Sequence, residues 1–110
     1  MDNLVLRVIK MTKGDTLAFG LEIEGLDQDL ETAYFSCKTE LDDQNYVFQK
    51  SLGNGISKVE TGKYRIRVAP EDTAYVPTGR YYYDLQIGVN SDIFTIMKGF
   101  LDITFEVTTN

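Results

Sequence analysis

Alternation of apolar and polar residues with a period of two runs through most of this chain and constrains its fold more than any other feature. Leu17, Phe19, Leu21 and Ile23 alternate with Ala18, Gly20, Glu22 and Glu24. Tyr64, Ile66 and Val68 alternate with Lys63, Arg65 and Arg67. Tyr81, Tyr83, Leu85, Ile87 and Val89 alternate with Tyr82, Asp84, Gln86 and Gly88. Leu101, Ile103, Phe105 and Val107 alternate with Asp102, Thr104 and Glu106. Successive side chains of a strand point to opposite faces, so the pattern describes strands buried on one side. The runs are rich in aromatic and β-branched residues, which suit a pleated, half-buried surface.

Turn signals divide the runs at short intervals. They are Lys13-Gly14-Asp15, Gly25 to Asp29, Leu41 to Asn45, Gly53-Asn54-Gly55, Glu60-Thr61-Gly62 and Asn90-Ser91-Asp92. Strands are therefore predicted to begin near Leu4, Thr16, Thr32, Val47, Lys63, Gly79 and Ile93, with the last running nearly to Asn110. Gly53-Asn54-Gly55 offers positive-φ positions for a hairpin. One segment breaks the pattern: Pro70-Glu71-Asp72 places proline and two acids where a first helical turn accepts them, predicting a single turn between opposite sheets. The expectation is an all-β, immunoglobulin-like antiparallel β-sandwich of seven to eight strands, one domain over residues 1–110. Its inward set is Leu17, Phe19, Leu21, Phe35, Tyr64, Ile66, Val68, Leu85, Ile87, Leu101, Ile103 and Phe105.

Composition removes whole classes of chemistry. The net charge of −6, without a basic block, argues against nucleic-acid binding. No apolar run approaches the ~18 residues of a membrane span. Met1-Asp2-Asn3-Leu4 has no basic flank or apolar core of a secretory signal, so synthesis in the cytoplasm is expected. The chain has no histidine, which rules out histidine catalysis and histidine ligation. Its one cysteine, Cys37, falls on an inward face with Ala33, Phe35 and Leu41. It is expected to be an apolar core residue rather than a nucleophile. Asp42-Asp43 and Asp27-Gln28-Asp29 lack the alternating ligand spacing of a calcium loop and fit turn geometry instead. No catalytic residue, cofactor or metal is expected.

Three surface features remain. Lys63, Arg65 and Arg67 form a basic stripe, either an anion patch or one side of cross-strand pairs with Glu22 and Glu24, if the second and fifth strands are neighbours. Of seven tyrosines, Tyr64, Tyr81 and Tyr83 alternate with the core, whereas Tyr34, Tyr46, Tyr75 and Tyr82 are candidates for exposure. Exposed tyrosines fit a carbohydrate platform, a protein interface, or a hydroxyl that ties down the linking turn. Finally, a three-residue loop at Asn90-Ser91-Asp92 sets Val89 opposite Ile93, Ile87 opposite Thr95 and Leu85 opposite Met97. That register pairs Asp84 with Lys98 and leaves Tyr82, Phe94, Ile96 and Phe100 as an apolar outer patch. Such a patch marks a partner surface unless the first strand (Val5, Ile9, Met11) or the 42–60 hairpin covers it. Tyr82, Phe94, Ile96 and Phe100 are the candidate interface.

Several strings occur in order: Lys13-Gly14-Asp15-Thr16, Thr61-Gly62-Lys63-Tyr64, Pro70-Glu71-Asp72-Thr73-Ala74, Thr78-Gly79-Arg80-Tyr81-Tyr82-Tyr83-Asp84 and Gly99-Phe100-Leu101-Asp102-Ile103. Together they span nearly the whole chain and resemble the immunoglobulin-like modules of tailed bacteriophages and prophages, such as the N-terminal domain of baseplate upper proteins and small tail-associated proteins. The resemblance implies a virion structural protein of the tail or baseplate, made in the bacterial cytoplasm. It would bind other phage structural subunits or a second copy of itself, with no catalytic residues, no nucleic acid and no membrane. Asp72-Thr73-Ala74-Tyr75 is also similar to antibody variable domains, but the paired cysteines and the core tryptophan are missing. The alternative from another class is a small carbohydrate- or cell-surface-binding β-sandwich module.

Overall fold

Alternation becomes burial most plainly at Lys63–Val68, where every even residue is buried and every odd one exposed. The computed structural model describes residues 5–107. Its elements are β1 (Val5–Leu6), β2 (Ile9–Thr12), β3 (Leu17–Glu22), β4 (Thr32–Lys38), β5 (Phe48–Leu52), β6 (Gly55–Glu60), β7 (Lys63–Val68), α1 (Pro70–Thr73), β8 (Gly79–Val89) and β9 (Asp92–Thr104). One layer runs β9-β8-β4-β5, with β1 and β2 added alongside β9; the other runs β6-β7-β3. A short parallel pairing, Ser51 with Gly55 and Leu52 with Ile56, joins the layers at one side. Consecutive strands pass between layers in this way in immunoglobulin-like sandwiches, and that is the fold.

Two details mark it. Tyr81, near the start of β8, donates its hydroxyl hydrogen bond back to the Pro77 carbonyl, the tyrosine corner of such sandwiches. Phe35 of β4 bridges the layers: its ring lies 5.6 Å from Phe19 of β3 and 5.6 Å from Tyr83 of β8. Antibody domains fill this region with a disulfide and a tryptophan. Here edge-to-face aromatic contacts, about 0.5–1.5 kcal/mol each beyond area burial, join the sheets without a covalent link. Phe35, Ile66, Val68, Leu85, Ile87 and Leu101 are completely buried around them.

The linking turn forms at Pro70–Thr73 as expected. Asp72 closes it by accepting the Ala69 N–H at 2.7 Å, and also meets Lys50 Nζ at 2.6 Å with both side chains largely buried. The buried Thr73 hydroxyl accepts the Gly14 N–H at 2.9 Å and ties the β2–β3 turn to this corner.

Other expectations are corrected. The predicted start at Leu4 lies outside the described residues. From Val5 the chain forms two short strands rather than one, and both run parallel to β9. Between them the Arg7 carbonyl crosses so close to Gly99 that a Cβ there would collide with its oxygen. The strand expected from Thr32, β4, ends at Lys38, so Leu41 leaves the core and is 72% exposed. The last ends at Thr104, which strips Phe105 of its cover at 74% exposure; Asn110 lies outside the described residues. Leu17, Phe19 and Leu21 face inward but are only partly buried. Gly53-Asn54-Gly55 does not close an antiparallel hairpin. It carries the chain between layers, with Gly55 at φ 96° and packed so closely that a Cβ would meet Lys50 and the Arg67 carbonyl.

Candidate functional site: the outer face of the β5-β4-β8-β9 sheet

Even-numbered residues of β4, of β8 and of the second half of β9 point away from the core, and the register arranges them in rows. Lys38 lies opposite Tyr82, and Tyr82 opposite Phe100. In the next row Gln49, Ser36, Asp84 and Lys98 follow one another across four strands. Tyr34 stands between Ser51 and Gln86 in the row beyond. With Tyr46 and Leu41 from the β4–β5 connection, side chains of these rows line an open groove of about 570 Å³.

Its chemistry is mixed. Tyr34 and Tyr46 are exposed, and Lys38 Nζ stands 5.2 Å from the centre of the Tyr46 ring, a cation–π contact. Tyr82 packs on Phe100 at 5.5 Å. The Arg80 guanidinium covers the Phe100 ring at 4.6 Å while holding Asp102 with two hydrogen bonds of 2.8 and 3.0 Å. The Gln49 side-chain amide donates to Ser36 Oγ at 3.0 Å. Asp84 lines the groove, where burial holds its carboxyl above the ordinary carboxylate range against the opposing pull of Lys38 and Lys98. Asp84 and Lys98 are register partners as expected, but no direct ion pair forms between them.

Of the four residues expected to form an interface, two lie together. Tyr82 and Phe100 share the outer face, and Phe100 is 36% exposed. Phe94 and Ile96 do not join them. The β8–β9 loop has two residues rather than three, closing as a tight hairpin turn. Asn90 and Ser91 both adopt left-handed backbone there, at φ 53° and 65°. Val89 therefore faces Asp92, Gly88 faces Ile93, and Ile87 faces Phe94, which turns Phe94 toward the core. A β-bulge then absorbs Ile96 as the extra residue and restores the expected register from Leu85–Met97 onward. Ile96 is buried. Neither Ile9 nor Met11 of the first strands lines the groove.

Other candidates resolve as structure. Cys37 is completely buried, and burial pushes its thiol up to about 12. Asp43 accepts the Glu40 N–H within its own turn, and Asp29 pairs with Lys58 at 2.6 Å. No group of three metal-ligating side chains converges among the described residues. β3 and β7 are neighbours, but Glu22 faces Lys63, whereas Arg65 faces Gly20 and Arg67 faces Ala18. Among the described residues neither arginine has an ion-pair partner. Tyr75 is 95% exposed and away from the groove; the turn is held by Tyr81 instead. Gln49, Gln86 and Lys98 do not stand out in the sequence as site residues, although the Asp84–Lys98 pairing places two of the groove's charges side by side.

No protein-family model matches the sequence, and a search of curated proteins finds no match. Solved structures do show similarity. The extracellular domain of the voltage-gated sodium channel beta4 subunit, described as a parallel homodimer with a role in cell–cell adhesion, aligns over 93% of each chain at 14% identity and a TM-score of 0.49. The extracellular domain of mouse leukocyte-associated immunoglobulin-like receptor 1, a strand-swapped dimer, aligns over 94% of this chain and 85% of its own at 11% identity and a TM-score of 0.46.

Proposed function

We propose that this chain is a non-enzymatic protein–protein interaction module, a virion structural component of the tail or baseplate kind its sequence resembles, and that it docks its partner on the tyrosine-lined groove. The observation that carries the reading is the groove itself. It is a concave sheet face bearing Tyr34, Tyr46 and Tyr82 beside Lys38, Asp84 and Lys98, with Phe100 packed against Tyr82. Tyrosines, which offer an apolar body and a polar tip, are enriched at protein contact surfaces, and charges of both signs beside them can match a partner of complementary potential. Co-purification with tail or baseplate subunits, abolished by Tyr46→Ser with Tyr82→Ser, is the expected result. Equal retention by that variant would remove the groove as the docking face.

One observation favours a second reading. Three exposed or half-exposed tyrosines line a single groove together with Gln49, Gln86 and Asp84, the donors and acceptors a sugar needs. Against it, Phe100 already occupies one side of the Tyr82 ring and Lys38 one face of the Tyr46 ring, which leaves less free π-surface for stacking. Saturable binding on a glycan array, lost in the same variant, would establish the sugar-binding reading in place of the first.

A further inference from the structure

The edge of the three-stranded layer is open. Among the described residues β3 pairs with β7 and with no other strand. The Ile23 N–H donates to the Gly62 carbonyl at 2.8 Å, in phase with the β3–β7 register. Bonded pairs of an antiparallel ladder fall on every second residue, so Leu21, Phe19 and Leu17 bond toward β7. Ala18, Gly20 and Glu22 consequently aim their N–H and C=O groups outward, away from the sheet. Edge strands normally carry a guard against further pairing, such as a proline, a lysine or a bulge. Leu17–Glu22 has none of these, its single charge is Glu22 at the strand's end, and its register with β7 is unbroken over all six residues. The inward side chains tell the same story. Tyr64, Ile66 and Val68 of β7 are at most 2% exposed, whereas Leu17, Phe19 and Leu21, one strand further out, remain only partly buried. The apolar core therefore reaches the open edge.

We infer that β3 is an assembly edge whose occupant is β3 of a second copy, added antiparallel about a two-fold axis at Phe19, so that two three-stranded layers become one six-stranded sheet. The strand is self-complementary in that register. Phe19 faces Phe19 of the second copy, Leu17 faces its Leu21, and Ala18 faces its Gly20. Inward residues thus meet inward residues, as an added strand requires. The outward hydrogen-bonding groups of Ala18 and Gly20 meet their counterparts as a bonded pair. Glu22 lies against Thr16 of the second copy, so no like charges meet. Arg67, which lacks an acidic partner among the described residues, stands beside the small Ala18 side chain and within reach of Glu22 of the second copy. The contact lies on the opposite layer from the groove and is independent of the groove's function.

Backbone amide exchange at increasing protein concentration tests it by residue parity. Analytical ultracentrifugation from about 10 μM to about 1 mM should show a monomer–dimer equilibrium, since one strand pairing through residues 16–22 of each copy forms a small interface. Over the same range the amides of Ala18, Gly20 and Glu22 should slow at least tenfold, while Leu17, Phe19 and Leu21 stay protected throughout. Gly20→Pro removes an N–H that points outward and leaves the β3–β7 bonds intact, so it should shift dimerisation at least tenfold to higher concentration without changing the circular dichroism. A monomer at every concentration overturns the inference. So does a dimer in which the even-numbered amides remain fast, or protection of those amides that does not depend on concentration, which would mean that the chain covers its own edge.

Discussion

Each of the three inward tyrosines carries a hydroxyl that the core cannot leave unpaired, and each finds a backbone partner. Tyr64 accepts the Leu30 N–H at 2.9 Å, Tyr81 donates to the Pro77 carbonyl, and Tyr83 donates to the Arg7 carbonyl at 2.9 Å. These bonds pin loops and the N-terminal crossing to the core, so Tyr81→Phe should cost about 0.5–1.5 kcal/mol in urea denaturation. Leu85 makes a purely apolar contribution. It is completely buried. Leu85→Ala should cost about 2–5 kcal/mol, and a loss under about 1 kcal/mol would show that the site collapses around the cavity. Cys37 predicts a pH effect. Burial raises its thiol from 9.0 to about 12, so the unfolded chain gives up that proton first. The stabilising contribution is complete below about pH 9 and is lost as pH rises from there toward 12. The loss approaches about 1.4 kcal/mol per pH unit, the free energy of one unit of pKa difference. Cys37→Ala should flatten the alkaline fall in stability relative to the parent, and an unchanged slope would contradict the burial argument. Alternation alone gave the inward positions of Tyr64, Tyr81, Tyr83, Leu85 and Cys37. It could not place Leu41 or Phe105, because facing inward buries a side chain only while a facing sheet continues past it.

Strand starts at Thr32, Lys63 and Gly79 stand where composition and turn residues put them, and the turn at Pro70 is equally legible. Pairing details are not. The β8–β9 hairpin closes with Asn90 and Ser91 in left-handed backbone, and a bulge at Ile96 then cancels the one-residue difference. That conformation is unusual for serine. Both features leave the far register intact, so the Asp84–Lys98 pairing is the same whether Phe94 and Ile96 face outward or inward. Ser91→Gly should relieve the left-handed strain and raise stability by about 0.5 kcal/mol, measured as an increase in the urea midpoint at constant m-value. The Pro70 corner depends on Asp72, which satisfies both the Ala69 N–H and the largely buried Lys50. Asp72→Ala leaves that ammonium without its partner and should cost about 3 kcal/mol, partly restored by adding Lys50→Met. No pattern in the chain announces this pair, because its members are far apart in sequence and meet only when β5 packs against the turn.

Across the molecule, the two layers divide their exposed surface by chemistry. The β5-β4-β8-β9 face gathers tyrosines and charges of both signs into a groove, while the opposite layer ends in β3, which pairs on one side only among the described residues. The identity of the groove was partly visible in the sequence: Tyr82, Phe100, Asp84 and Lys98 all sit as the alternation requires. Tyr34, Tyr46 and Gln49 come from β4, β5 and their connection, and only the β4–β8 pairing brings them to the same place. The central claim is that this face holds a protein partner. It is tested most directly by affinity for any structural subunit that a co-purification experiment recovers with the chain, measured for the parent protein and for Tyr46→Ser with Tyr82→Ser, each checked to be folded. Loss of two aromatic contacts at the centre of an interface predicts a Kd weaker by roughly a thousandfold, at about 2 kcal/mol per anchoring aromatic residue. A Kd within threefold of the parent would contradict the account.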